Sequence, residues 1–299
     1  MRAPETMARF GRVLTAMVTP FGADGRVDLD GAAALARWLV EQGNDGLVVT
    51  GTTGEASVLT DDEQVEVWRA VRAAVDVPLL AGSGTNDTRH AAELTARADG
   101  AGLDGVLVVT PYYNRPSQAG IEAHFRRVAA ATRLPVLLYD IPVRTGRKIS
   151  HDVLVRLARE VPNVVGVKDA AGDPAASARL LAEAPDGFEL YSGDDSLTLP
   201  LLAVGAVGVI GVCTHWAAAP MGEMIAAFER GELAEARRIN ARLLESYDFE
   251  TGDAAPNPIP AKAMLRALGQ PAGQCRLPMG DAPAGLEDRA LEVWKNLHG

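Results

Sequence analysis

A closed parallel (β/α)8 barrel with a helical C-terminal extension is the fold this amino-acid sequence predicts, and three observations carry it. Short apolar, β-branched runs occur eight times, spaced by about 20 to 35 residues. Each run is apolar at consecutive rather than alternate positions, as in a strand covered on both faces. Segments with helical spacing, rich in Ala, Leu, Arg and Glu, lie between the runs. Strands that alternate with helices and are buried on both sides form a parallel sheet, and eight of them close on themselves. A doubly wound open sheet is the alternative arrangement.

The runs, in order, are VLTAMV from Val13, GLVVT from Gly46, VPLLAG from Val77, GVLVVT from Gly105, PVLLYD from Pro135, VVGVKD from Val164, FELYSG from Phe188 and GVIGV from Gly208. Helical spacing is clearest over Asp30 to Gln42, Asp61 to Val75, Thr88 to Ala98, Gln118 to Ala131 and Ser150 to Arg159. Beyond Ala217 the helical pattern continues, is broken by GDAAPNPIP at Gly252 to Pro260, and ends in an amphipathic segment near Leu286 to Leu297. This divides the chain into a mobile lead (1–12), a barrel (13–230) and an extension (231–299). The apolar stretch from Leu197 to Met221 is interrupted by Pro200, Pro220 and glycines. It reads as a buried helix followed by a buried strand, not as a membrane span.

Composition narrows the function classes. The 299 residues are 47% hydrophobic and 23% charged, enough to bury a core. A net charge of -10 without a basic cluster repels a phosphate backbone, so no nucleic acid is expected as a partner. The two cysteines, Cys213 and Cys275, stand far apart with no second thiol or histidine pair nearby. They suggest neither a disulfide framework nor a zinc site, and point to a reducing, cytoplasmic setting.

Chemistry is expected where the strands end, because active sites of such barrels form on that face. Four of the 29 basic residues are lysines, and one of them, Lys168, closes an apolar run. Desolvation there lowers an amine's pKa and exposes the neutral nucleophile that imine chemistry needs. Tyr139 ends the preceding run, and its phenol can donate and accept protons in turn. Thr52 and Thr53, in the GTTGE turn, offer hydroxyls and backbone N–H groups for a carboxylate. Arg144 can fork onto a second carboxylate. Asp194 and Asp195 have no histidine or third carboxylate beside them in the sequence, so no metal site is expected.

The motifs GTTGE, TPYYNRPSQ, LLYDIPVRTG, NVVGVKDA, YSGDD, GVIGV and NPIPAK resemble, in order and spacing, those of the dihydrodipicolinate synthase family. The likeness runs from about Val13 to Pro278. It implies a cofactor-free enzyme that condenses pyruvate with L-aspartate 4-semialdehyde through an imine on Lys168, in lysine and diaminopimelate synthesis. By the same resemblance, Tyr139 moves protons, and Thr52 links it to Tyr113, which enters from a neighbouring subunit. Thr53 holds the pyruvate carboxylate, Arg144 receives that of the aldehyde, and Gly193 and Ile210 line the pocket. The resemblance also implies a homo-oligomer, dimer or tetramer. Two features depart from it: Ala56 and Gly211 stand where the family usually has serine. Rival readings are another 2-keto acid aldolase, such as a sialic acid lyase, and a non-catalytic keto-acid-binding barrel. Lys168, Tyr139, Thr52 and Tyr113 together argue against the latter, since binding alone needs no proton relay.

Overall fold

A computed structural model describes residues 8–299 of the chain. The predicted barrel is present, with every strand parallel to its neighbours and the last paired to the first. The strands are β1 (Val13–Ala16), β2 (Gly46–Val49), β3 (Leu79–Gly82), β4 (Gly105–Val109), β5 (Val136–Asp140), β6 (Val164–Asp169), β7 (Glu189–Ser192) and β8 (Gly208–Gly211). Closure is direct: Leu14 of β1 lies opposite Ile210 of β8.

Between them run α1 (Leu29–Glu41), α2 (Asp61–Ala74), α3 (Thr88–Ala98), α4 (Gln118–Ala129), α5 (Pro142–Thr145), α6 (His151–Glu160), α7 (Pro174–Glu183) and α8 (Thr198–Leu202). After β8 come α9 (Thr214–Glu229), α10 (Leu233–Phe249), α11 (Ile259–Ala267) and α12 (Leu286–His298). Local chemistry sets several starts. Asp28, Asp87 and Ser117 each accept a backbone N–H of the first turn of α1, α3 and α4. Thr60 and Glu63 exchange reciprocal bonds at the start of α2, satisfying two otherwise orphaned donors.

Two apolar layers result. Inside the barrel, Leu14, Val48, Leu80, Leu107, Leu137 and Ile210 meet side chain to side chain, joined by Phe10 and Tyr191. A larger layer fills the space between strands and helices. That double burial is why the runs lack alternation.

Three details differ from the sequence reading. The lead expected over 1–12 lies partly outside the described residues, and its described part is packed rather than free. Phe10 is 2% exposed there, and Arg9 donates its N–H to Glu189 at 2.7 Å. The stretch from Leu197 to Met221 holds α8, β8 and the beginning of α9, one helix more than expected. Among the described residues no helix is long and apolar enough to cross a membrane. The four-residue α5 is the third difference, a helix too short for its spacing to show in the sequence.

Candidate active site

The pleat of β5 and β6 sorts four polar residues onto two faces. Tyr139 pairs in register with Lys168, and Asp140 with Asp169. Tyr139 belongs to the barrel's inner cluster, whereas Asp140 and Asp169 tether the loops that follow their strands. Asp140 accepts the Ile149 N–H at 3.1 Å and the Lys148 ammonium at 3.3 Å. Asp169 accepts the Ser177 hydroxyl at 2.6 Å.

Lys168 is 4% exposed, and its Nζ lies 4.4 Å from the centroid of the Tyr139 ring. The ring face favours the ammonium by about 0.5 to 2 kcal/mol. Burial opposes it more strongly and takes the amine from 10.5 down to about 8. That net drop is worth roughly 3 kcal/mol against the charged form, so desolvation wins. The nearby charges act in both directions, with Asp195 and Glu250 favouring the ammonium and Arg144 opposing it. Burial also pushes the Tyr139 phenol upward, which keeps it a protonated donor.

A cavity of about 450 Å³ opens at this end of the barrel, walled by Thr52, Tyr112, Tyr113, Tyr139 and Arg144 among others. Thr52 is exposed at the tip of its turn. Within one chain no hydrogen bond joins Thr52, Tyr139 and Tyr113. Tyr113 instead projects outward, 87% exposed, from a backbone with φ of +71°. Thr53, Lys168, Gly193 and Ile210 are not on the cavity wall. Thr53 is buried and its hydroxyl accepts from the Asn257 amide at 3.0 Å. Gly193 packs on the lysine stem, where an added Cβ would come within 2.9 Å of Lys168 Cγ. Ile210 belongs to the same inner-barrel cluster as Tyr139. Arg144 reaches from α5 to the Asn257 carbonyl at 3.4 Å.

Sequence reading missed the residues brought in from afar. No third donor stands beside Asp194 and Asp195 in the sequence, yet the fold supplies two. Donor atoms of Asp195, Cys213 and Glu250 lie within 4.8 Å of one another. They are partnered internally: the Cys213 thiol donates to Asp195 and the Cys213 N–H to Glu250, each at 3.0 Å. Burial raises both carboxyl groups and the thiol, favouring their protonated forms. Asn257, which touches both Thr53 and Arg144, was visible only as a letter of NPIPAK. Nothing local to it signals a contact 204 positions away.

Comparison with known proteins gives the chain's family. The Dihydrodipicolinate synthetase family profile matches residues 9–293. The chain is 55% identical over 289 residues to 4-hydroxy-tetrahydrodipicolinate synthase of Acidothermus cellulolyticus, covering 95% of this chain and 92% of that one. It is 48% identical to the enzyme of that name from Moorella thermoacetica, over 96% and 98% of the two chains. Among solved structures it is similar to the chloride-inhibited dihydrodipicolinate synthase from Acinetobacter baumannii complexed with pyruvate. That superposition has a TM-score of 0.91 at 36% identity, covering 97% of this chain and 99% of that one. The chain belongs to the Dihydrodipicolinate synthetase family.

Proposed function

We infer that this chain is a 4-hydroxy-tetrahydrodipicolinate synthase, joining pyruvate to L-aspartate 4-semialdehyde. The observation that carries the reading is Lys168, buried at the end of β6 against Tyr139 with its amine lowered to about 8. Such an amine is neutral often enough near pH 7 to attack a keto carbon. The names of the relatives and the pyruvate complex of the Acinetobacter protein support the same substrates.

In this reading the Lys168 amine adds to C2 of pyruvate and expels water, giving an iminium. Loss of a C3 proton makes the enamine, whose carbon attacks the aldehyde carbon. The substrate's own amine then adds to the imine carbon, and Lys168 departs as the ring closes. Tyr139 carries protons at the carbinolamine, and Thr52 connects it to Tyr113 of a neighbouring subunit. Thr53 holds the pyruvate carboxylate by its backbone, Arg144 the carboxylate of the aldehyde, and Gly193 and Ile210 shape the lysine's pocket. The catalytic barrel spans 13–230 and the extension 231–299. The two free thiols suit a cytoplasmic enzyme, and the exposed Tyr113 suits a homo-oligomer.

Incubation with pyruvate and borohydride tests the first step. A reduced pyruvyl mass is expected on the peptide holding Lys168, and labelling only of Lys148, Lys262 or Lys295 would refute the assignment. A coupled assay with a panel of aldehydes then tests the second substrate, with aspartate semialdehyde expected to give the largest kcat/KM.

A further inference from the structure

The GTTGE turn is held from behind, residue by residue. Thr53 accepts the Asn257 amide, and the Gly54 carbonyl accepts the Thr19 hydroxyl at 2.6 Å. Glu55, 3% exposed, has a left-handed backbone, φ +58°, which few residues with a side chain adopt. Its carboxylate makes an ion pair with Lys262 at 2.6 Å and accepts the Arg276 N–H at 2.9 Å. Lys262 is wholly buried in α11. Its Nζ also donates to the Gln274 carbonyl at 3.0 Å and stands 4.0 Å from the centroid of the Phe21 ring. The Arg276 guanidinium lies 4.4 Å from the same centroid and pairs with Glu63 of α2 at 2.6 Å. Thr52, at the tip, faces the cavity with a side chain that makes no hydrogen bond among the described residues, while its carbonyl accepts the Glu55 N–H at 3.1 Å.

A buried ion pair is a poor device for stability, because removing two charges from water offsets most of their attraction. Its directional demands can instead fix a conformation. Here the fixed object is a turn carrying two residues of the keto-acid site. We propose that Lys262 is a positioning residue for this chemistry: through Glu55 it sets the Thr52–Thr53 turn relative to Lys168, making the C-terminal extension a working part of the active site. The proposal rests on the reading of that turn as the cradle of pyruvate.

Two variants test it, Glu55→Gln and the double variant E55Q/K262M, which removes both charges together. Each is compared with the parent for thermal midpoint, kcat and the KM of each substrate. The double variant should melt within a few degrees of the parent, since no buried charge is left unpartnered. Its pyruvate KM should rise about tenfold or more and its kcat fall, as misplacement by an ångström can cost roughly 100-fold. The aldehyde KM should stay within about twofold, because Arg144 sits on α5, to which neither Glu55 nor Lys262 is hydrogen-bonded. Glu55→Gln keeps an acceptor for Arg276 but leaves the buried Lys262 ammonium without its carboxylate, so its thermal midpoint should fall below the double variant's while its pyruvate KM moves in the same direction. Parent-like kinetics in the folded double variant, or a joint rise of both KM values, would overturn the proposal. So would a double variant that cannot fold, since the pair would then be a folding element. Borohydride and pyruvate on the parent supply the control: no label on Lys168 would remove the reading of the site itself, and the clamp with it.

Discussion

Lys168 has a consequence that pH can measure. With its amine lowered to about 8, roughly one-tenth is neutral at pH 7, against about one part in a few thousand for an ordinary lysine. Only the neutral form attacks, so imine formation should quicken about tenfold per unit as pH rises toward 8 and level off above it. Quench-flow trapping with pyruvate across pH 6 to 10 would record this, and a midpoint near 10 would contradict the desolvation. Arg144 makes a second case. It is exposed on α5, its guanidinium donates to the Asn257 carbonyl, and it borders the cavity. Arg144→Ala should leave pyruvate trapping nearly intact while raising the aldehyde KM and lowering kcat, about 10- to 150-fold in kcat/KM. Equal loss of trapping would assign the arginine to the first substrate or to the fold. The place of Lys168 at a strand end was legible in the sequence, since a charge that closes an apolar run is a local signal, whereas Arg144, one arginine among 25, stood out only through the family motif it belongs to. Asn257, Glu250 and Lys262 were not legible, since their roles come from contacts that only the closed barrel creates.

The strands of this barrel were legible for a physical reason: burial on both faces writes an apolar run into each of them, whereas α5, four residues starting at Pro142, is too short to show any period. β8 shows how one position answers to its neighbours. Gly211 stands where family resemblance leads one to expect serine, and the space its side chain would need is taken. A Cβ there would fall 2.3 Å from Asp195 Oδ1 and 2.9 Å from Asp195 Cγ. That carboxyl cannot easily retreat, because its other oxygen accepts the Val212 N–H at 2.8 Å and the Cys213 thiol holds Oδ1. Gly211→Ala should therefore destabilise the fold by about 1 to 3 kcal/mol, as overpacking of a filled core does. Urea denaturation at constant m-value would show it, and an unchanged midpoint would mean that Asp195 can move aside without cost.

Across the whole molecule, the incomplete feature is the hydroxyl path from Thr52. Tyr139 and Tyr113 both border the cavity, but Tyr113 turns away from its own chain at 87% exposure. A relay through it needs a second subunit, so the active particle should sediment as a dimer or larger at assay concentration. A fully active monomer would remove Tyr113 from the mechanism. The length of the chain enters the site in another way. Synthesis delivers Thr53 204 positions before the Asn257 that tethers it, and Glu55 221 positions before Arg276. On the ribosome, the amine of Lys168 is exposed long before the cradle beside it has its anchors. In the proposed reading, competence therefore waits for the last tenth of the chain, and a prematurely terminated chain is expected to carry the proposed nucleophile without the means to orient a keto acid against it.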